Sequence, residues 1–167
     1  MRHADEAMTD LPKYSALEIE RRWLVDAGAV GDLNNAPFRL FDDIYIEKSR
    51  LRLRKITMQS GEVVFKLGKK YGKRSRLVEP ITTLYLDEAE YIALSSLPGV
   101  RISKKRFSIA GGSLDVFTFP SQPISIFELE FESVPSAESY VPPGFVTREV
   151  TGDPNFSGHS LARKHAA

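Results

Sequence analysis

Residues 14–25 read YSALEIERRWLV, and their side chains alternate in character with a period of two. Because successive residues of a β-strand point to opposite faces of the sheet, this pattern predicts a strand. Glu18, Glu20 and Arg22 share one face of that strand, and the opposite face is largely apolar and includes Trp23. Taken alone, a charged face of this kind is typical of a strand that borders solvent.

Three further predicted strands carry charges of one sign on one face and apolar side chains on the other. These stripes are Arg50, Arg52 and Arg54; Lys104 and Arg106; and Glu128, Glu130 and Glu132. Like charges two residues apart repel, and a surface selected only for solubility mixes both signs. The four strands together therefore predict one interior lined by both signs. Carboxylates there would hold a metal ion, and arginine forks would grip the oxygens of a polyphosphate.

The remaining chain is also rich in strand-type alternation. Further strands are predicted at residues 38–47, 50–56, 62–70, 76–86, 100–109, 113–119, 124–133 and 145–150. Asp87 with Glu90 three residues later predicts the start of a helix, which Pro98-Gly99 would end. A short helix is expected at 136–140, and a helix or turn at 154–164. About eight strands with few helices predict an α+β, mainly β fold, a closed antiparallel eight-stranded barrel that forms a tunnel.

Composition narrows the chemistry of the site. The chain has no cysteine, and its three histidines, His3, His159 and His165, lie at the two ends. Thiolate chemistry is therefore excluded, and so is a histidine-rich metal site in the body of the chain. Carboxylate ligands favour a hard ion such as Mg²⁺ or Mn²⁺. The formal net charge of +1 gives no support to a nucleic-acid partner.

Length and hydropathy predict a single domain. The 167 residues, 42% of them apolar, suffice for one core. We expect a flexible lead-in over residues 1–12 and a tunnel domain over residues 13–167. No stretch approaches the ~20 apolar residues of a membrane helix, and the N-terminus lacks the apolar run of a signal peptide. A cytoplasmic protein with no membrane partner is expected.

Six short motifs, in this order along the chain, resemble those of one known family. They are Glu18-Ile19-Glu20-Arg21-Arg22 for an ExExK signature, Leu51-Arg52-Leu53-Arg54 for a paired-arginine strand, Ser103-Lys104-Lys105-Arg106 for a KxR strand, Leu114-Asp115-Val116-Phe117 for a strand with an acidic residue, Phe127-Glu128-Leu129-Glu130-Phe131 for a later ExE strand, and Glu149-Val150-Thr151-Gly152-Asp153 for a closing segment. The family is the CYTH domain superfamily, also called triphosphate tunnel metalloenzymes. The resemblance extends from Tyr14 to about Ala162.

The resemblance implies a fold and a reaction. Members form an eight-stranded antiparallel tunnel, bind a divalent metal and act on triphosphates, which include inorganic tripolyphosphate, thiamine triphosphate, nucleoside triphosphates, RNA 5′-triphosphate ends and ATP. The implied function is metal-dependent hydrolysis of a phosphoanhydride bond in a small triphosphate. A homodimer is a further possibility. Two alternatives stay open, a class IV-type adenylyl cyclase and a non-catalytic module that binds polyphosphate or another phospho-ligand.

The resemblance also implies roles for individual residues. Metal ligands would be Glu18, Glu20, Glu128, Glu130 and Asp115. Catalytic residues would be Glu18, Glu20 and Glu130. Together with the strand alternation, the resemblance implies that the phosphates are bound by Arg22, Arg52, Arg54, Lys66, Arg76, Lys104 and Arg106. These assignments apply if the charged stripes face inward, whereas a lipocalin-like barrel with an apolar interior would turn them outward.

The chain departs from the family pattern at two places. Arg22 stands where the signature has lysine, so the positive charge is kept but a role that needs a neutral amine is lost. The lysine strand offers both Lys66 and Lys69 as the inward residue, and Lys66 is assigned. His159 is expected to lie at the surface.

Overall fold

The computed structural model describes residues 11–120 and 124–164. His3, His165 and residues 1–10 of the predicted lead-in lie outside the described residues. The strands of the described part are β1 (Ala16–Val25), β2 (Phe38–Ile46), β3 (Leu51–Met58), β4 (Val63–Lys70), β5 (Val78–Leu86), β6 (Gly99–Ile109), β7 (Gly112–Phe119), β8 (Ser125–Glu130) and β9 (Val146–Glu149). The helices are α1 (Ala27–Val30), α2 (Glu88–Ser95), α3 (Val134–Ser139), a 3₁₀ turn (Pro154–Phe156) and α4 (Gly158–Arg163).

The sheet closes on itself. Its strands run in the order β5-β4-β3-β2-β6-β7-β8-β1-β9, and an additional pairing joins β5 to β1. Every pairing is antiparallel, so the predicted eight-stranded closed barrel is confirmed. The edge of β1 is divided between two partners, because β5 pairs with Ala16–Ile19 and β9 pairs with Trp23–Val25.

A tight hairpin between β6 and β7 brings β8 close. Ala110 and Gly111 take positive φ angles of 48° and 78° in the turn. A Cβ atom added to Gly112 would lie 2.6 Å from the carbonyl oxygen of Glu128. Glycine is therefore required at 112 for β8 to pack at this distance, and that approach places Glu128 opposite Arg106 across β7.

The outer face of β1 and β8 packs against aromatic rings. Trp23 stacks on Phe127 with ring centroids 5.9 Å apart, and Tyr140 and Phe145 pack around this pair. Trp23 is 2% exposed and Phe127 is fully buried. The apolar stripes are thus buried on the outside of the barrel, beneath the C-terminal segments, which leaves the charged stripes on the inner face.

One end of the barrel is closed by α4. Leu161 and Ala162 of this helix form a buried cluster with Ile102, Phe117 and Ile126. Ile102 lies two residues before Lys104 and shares its inward face. Helix α4 therefore packs beside the cavity, which its residues Gly158, His159 and Ser160 help to line.

The helix expected from Asp87 is confirmed as α2. The Asp87 carboxylate accepts a bond from the Glu90 backbone nitrogen at 2.8 Å, and the Glu90 carboxylate accepts from the Asp87 nitrogen at 2.9 Å. This reciprocal pair satisfies two backbone donors at the start of the helix. None of the helices in the described residues combines the length and apolar character needed to cross a membrane.

Arg21 and Glu149 join the barrel to its C-terminal segments. Arg21 donates to both oxygens of Glu149, at 3.0 and 2.8 Å, and to the carbonyl oxygens of Ala137 and Tyr140. Arg76 adds a bond of 2.7 Å to Glu149. Hydrogen bonds from Arg21, aided by Arg76 against the effect of burial, lower the pKa of Glu149 to about 2.

We expect Glu149→Gln to lower the free energy of unfolding at neutral pH but not in strong acid. The folded-state pKa lies below the ordinary glutamate value of 4.5, so the ionised pair stabilises the fold above pH 4.5, and this contribution is lost as the pH falls toward 2. Urea unfolding of both proteins at about pH 7, 4 and 2.5 measures the difference. A difference that does not shrink in acid would contradict the assignment.

Candidate functional site

A cavity of about 490 Å³ occupies the barrel interior. One side of it, here called the acidic wall, carries Glu18, Glu20, Glu79, Glu128 and Glu130 on β1, β5 and β8. The other side, here called the basic wall, carries Arg52, Arg54, Lys70, Lys104 and Arg106 on β3, β4 and β6. The separation follows from the strand order, because closure of the barrel makes β8, β1 and β5 neighbours although they are far apart in sequence.

Two buried aspartates form ion pairs with cations of the basic wall. Asp43 accepts two bonds from Arg54, at 2.6 and 2.7 Å. Asp115 accepts two bonds from Arg106, also at 2.6 and 2.7 Å, and a further bond from Lys104. Asp115 is fully buried and does not line the cavity. Its two oxygens are engaged by cations, so the structure does not bring it to the other predicted metal ligands.

Arg52 differs from the other arginines of the basic wall. Among the described residues, its Nε is the single buried side-chain nitrogen or oxygen that has no hydrogen-bond partner. A buried donor without a partner is unfavourable by about 1–3 kcal/mol. Arg52 lines the cavity, so a bound anion whose acceptor oxygen reaches Nε would satisfy this donor.

The carboxylates of the acidic wall crowd one another. Burial, followed by the charges of Glu128 and Glu18, raises the pKa of Glu20 against the opposing effect of Lys70. Burial, again with Glu18 and Glu128, raises the pKa of Glu130. Burial and the neighbouring carboxylates both disfavour the ionised forms of Glu20 and Glu130, and a bound cation would favour them.

Lys70 is the lysine of β4 that lines the cavity. The sequence analysis had expected Lys66 or Lys69 in this position. Its Nζ contacts the Glu18 carboxylate and lies 3.8 Å from Glu20 and 3.7 Å from Glu79. Strand alternation along β4 places Lys66, Gly68 and Lys70 on one face, so this local signal excludes Lys69 but does not separate Lys70 from Lys66.

Lys66 and Lys69 lie elsewhere. Lys66 shares the face of Lys70 but does not line the cavity. Its Nζ stands 4.7 Å from the centre of the Tyr85 ring. Lys69 points to the other face, over the ring of Tyr71.

The register of β5 also differs from the predicted one. Arg76 precedes the strand, which begins at Val78, and its side chain is 55% exposed and bonded to Glu149. It does not line the cavity. Glu79 pairs directly with Glu18 and shares its inward face, so it joins the acidic wall. The sequence analysis missed Glu79 because a shift of one residue in the predicted strand turns it outward.

Arg22, at the signature lysine position, lies between the acidic wall and the C-terminal segment. Its Nε is 3.5 Å from Glu128, and its Nη1 donates to the carbonyl oxygen of Phe156 at 2.9 Å. Arg106 also bonds Glu128, and these attractions lower the pKa of Glu128 in spite of burial. His159 lines the cavity mouth and meets the ring of Tyr45 edge-on, with ring centroids 5.7 Å apart.

The acidic wall has the donor chemistry of a site for a hard divalent cation, since every candidate ligand is a carboxylate oxygen. Within the described residues, no three acidic or histidine side chains converge as a closed metal site. The ammonium group of Lys70 stands among Glu18, Glu20 and Glu79. These carboxylates already surround one positive charge, which fits their use as cation ligands.

Comparison with known proteins agrees with this geometry. The chain is 32% identical over 152 residues to an inorganic triphosphatase of Nitrosomonas europaea, a match that covers 87% of this chain and 96% of the relative. The chain belongs to the CYTH domain superfamily. Enzymes of this superfamily, the triphosphate tunnel enzymes, are generally metal-dependent.

Solved structures resemble this CYTH domain over most of its length. The structure of an inorganic triphosphatase superposes with a TM-score of 0.54 at 25% identity, over 87% of this chain and 93% of that chain. The structure of a protein described as hypothetical gives a TM-score of 0.55 at the same identity, over 87% and 97% of the two chains. No protein-family model matches the sequence.

Proposed function

We propose that this CYTH domain hydrolyses a phosphoanhydride bond of a small triphosphate, and that inorganic tripolyphosphate is its first candidate substrate. The observation that carries the proposal is a cavity with one acidic and one basic wall. A polyphosphate with a bound cation is negative along its chain and positive at the metal, so it complements both walls. The inorganic triphosphatase relative supports the choice of substrate.

The basic wall binds the phosphates. Arg52, Arg54 and Arg106 offer planar guanidinium groups, which suit paired contacts with phosphate oxygens. Lys104 supports the same wall as a point charge, although burial lowers its pKa. Arg22 and Lys70 extend the positive charge toward the acidic wall. Phosphate oxygens then replace Glu128 as partners of Arg106 and Arg22.

The acidic wall holds Mg²⁺ or Mn²⁺. Glu18, Glu20 and Glu130 are the ligands that the sequence predicts, and Glu79 joins them from β5. Glu128 becomes a further oxygen donor once the arginines turn to the phosphates. A bound divalent ion would draw electron density from the phosphate oxygens and offset the developing charge. Asp115 is assigned instead to holding Lys104 and Arg106.

Hydrolysis needs a water molecule and a group that accepts its proton. The water oxygen attacks the terminal phosphorus, the bond from that phosphorus to the bridging oxygen breaks, and orthophosphate and pyrophosphate leave. Glu20 and Glu130 are suited to accept the proton because their pKa values are raised toward the working pH. Glu18 orients the water with them. The basic wall keeps the leaving pyrophosphate oxygens in line.

We expect phosphate release from tripolyphosphate with Mg²⁺ or Mn²⁺ and none after the metal is removed with EDTA. A colorimetric assay on tripolyphosphate, thiamine triphosphate and ATP, each with and without metal, measures this. Glu130→Gln should lose activity, whereas Glu132→Gln is the matched control, because Glu132 lies beyond the end of β8 and is exposed.

Two results would overturn the proposal. One is the absence of metal-dependent release from all three substrates. The other is formation of cyclic AMP and pyrophosphate from ATP as the main products, which would identify a cyclase. Tight binding of tripolyphosphate without turnover would indicate a binding module.

A further inference from the structure

Asp43 is a buried acid inside a basic wall that binds anions. Its side chain is 3% exposed, on the inward face of β2. Both of its oxygens accept bonds from Arg54, through Nε and Nη2. Nothing in the proposed hydrolysis uses Asp43 as a ligand or a base.

The charge of Asp43 works against anion binding, so its presence in the basic wall needs another reason. It lies close enough to Arg52 and Lys104 for both to affect it electrostatically. Arg54, aided by these cations, lowers the pKa of Asp43 to about 2 although burial raises it. The carboxylate is therefore ionised throughout the pH range of an assay, and it repels a phosphate that approaches.

The paired bond fixes the plane of the Arg54 guanidinium group. A free arginine side chain samples many rotamers, and ordering it on binding is entropically unfavourable. Asp43 supplies that ordering before substrate arrives, and the ring of Phe41 supports it with its centre 4.7 Å from Cζ of Arg54. The pair uses the N–H of Nε and one N–H of Nη2, so both N–H groups of Nη1 and the second N–H of Nη2 are left to meet phosphate oxygens.

We propose that Asp43 is a positioning residue, which holds Arg54 in the orientation needed by the transition state rather than the one that binds substrate most tightly. This inference rests on the proposed triphosphate hydrolysis. The distinction is measurable because removal of the Asp43 charge leaves the positive charge of Arg54 in place. Ground-state attraction for phosphate persists, while orientation is lost.

We expect Asp43→Asn to lower kcat on tripolyphosphate on the order of 10²-fold, with KM unchanged or reduced. Asparagine keeps the shape but loses the charge and one of the two paired acceptors. Asp42→Asn is the matched control, since Asp42 lies on the opposite face of β2, where it accepts a bond from Ser103. The control should keep the wild-type kcat and KM.

A double-mutant cycle separates positioning from a merely structural role. Arg54→Gln removes the group that Asp43 orients, so Asp43→Asn added to it should cause no further loss of kcat. The same fold loss in both backgrounds would overturn the inference, as would wild-type kcat in Asp43→Asn. Titration calorimetry with tripolyphosphate gives the concentration of active sites in each preparation, and each kcat is corrected with this concentration for misfolded protein.

The pair itself has a readout that needs no substrate. We expect an arginine Nε–H resonance of Arg54 in the ¹H–¹⁵N spectrum that is absent in Arg54→Gln and broadened in Asp43→Asn. If wild-type protein hydrolyses no triphosphate, the proposed function fails, and the same four proteins are then compared by their affinity for tripolyphosphate. The positioning role would be overturned if Asp43→Asn lowered the affinity for tripolyphosphate as much as Arg54→Gln does. It would also be overturned if the Arg54 resonance were unchanged in Asp43→Asn.

Discussion

Arg52→Ala is expected to lower kcat/KM for tripolyphosphate about 10³-fold, the size seen when one preorganised charged donor is removed from a site of this kind. The physical reason is the unpartnered Nε of Arg52, which the fold keeps buried beside the cavity. An anion that accepts from this donor gains a bond without displacing a protein partner. Phosphate release under saturating metal measures the loss.

Two further variants define what Arg52 contributes. Arg52→Lys keeps the charge but not the planar fork, so it should recover only a minor part of the activity. Arg101→Ala is the matched control, because Arg101 is an exposed arginine on the outer face of β6. Equal losses in Arg52→Ala and Arg101→Ala would show that only the net charge matters.

Asp115→Asn is expected to lower the free energy of unfolding by about 3–5 kcal/mol, the range found when a buried ion pair loses one partner. Asp115 is fully buried and bonds both Lys104 and Arg106. Asparagine preserves the volume but leaves two closely spaced cations without their shared anion. Urea unfolding with two spectroscopic probes measures the difference.

Addition of tripolyphosphate gives a second test of the interaction of Asp115 with Lys104 and Arg106. The anion supplies negative charge to Lys104 and Arg106, so it should stabilise Asp115→Asn more than wild type at equal concentration. Asp32→Asn serves as a control at an exposed carboxylate. A loss under about 1 kcal/mol in Asp115→Asn would mean that Glu128 alone suffices to offset Arg106.

The barrel and its charged interior could be predicted from the sequence because the deciding signals are local. Alternation with a period of two is set within a single strand, and it placed Glu18 with Glu20 and Arg52 with Arg54 on common faces. The Asp87 capping box is likewise contained in four residues. Such patterns need no knowledge of which strands become neighbours.

Whether Glu79 and Arg76 face the cavity depends on the register of β5, which the sequence of a single strand does not define. Glu79 faces inward because β5 closes the barrel against β1 and pairs with Glu18. A shift of one residue reverses every side chain of a strand, so the uncertain start of β5 was sufficient to place Arg76 inside.

Pairing of charges was the second property that only the tertiary structure decided. Asp115 has the residue type of a metal ligand, yet its neighbours in space are Lys104 and Arg106. Asp43 holds Arg54 for the same reason. Coulomb attraction acts over a few ångströms between strands brought together by closure. The sequence therefore determined which charges share one face of a strand, and the fold determined which of them face the cavity and remain available to a ligand.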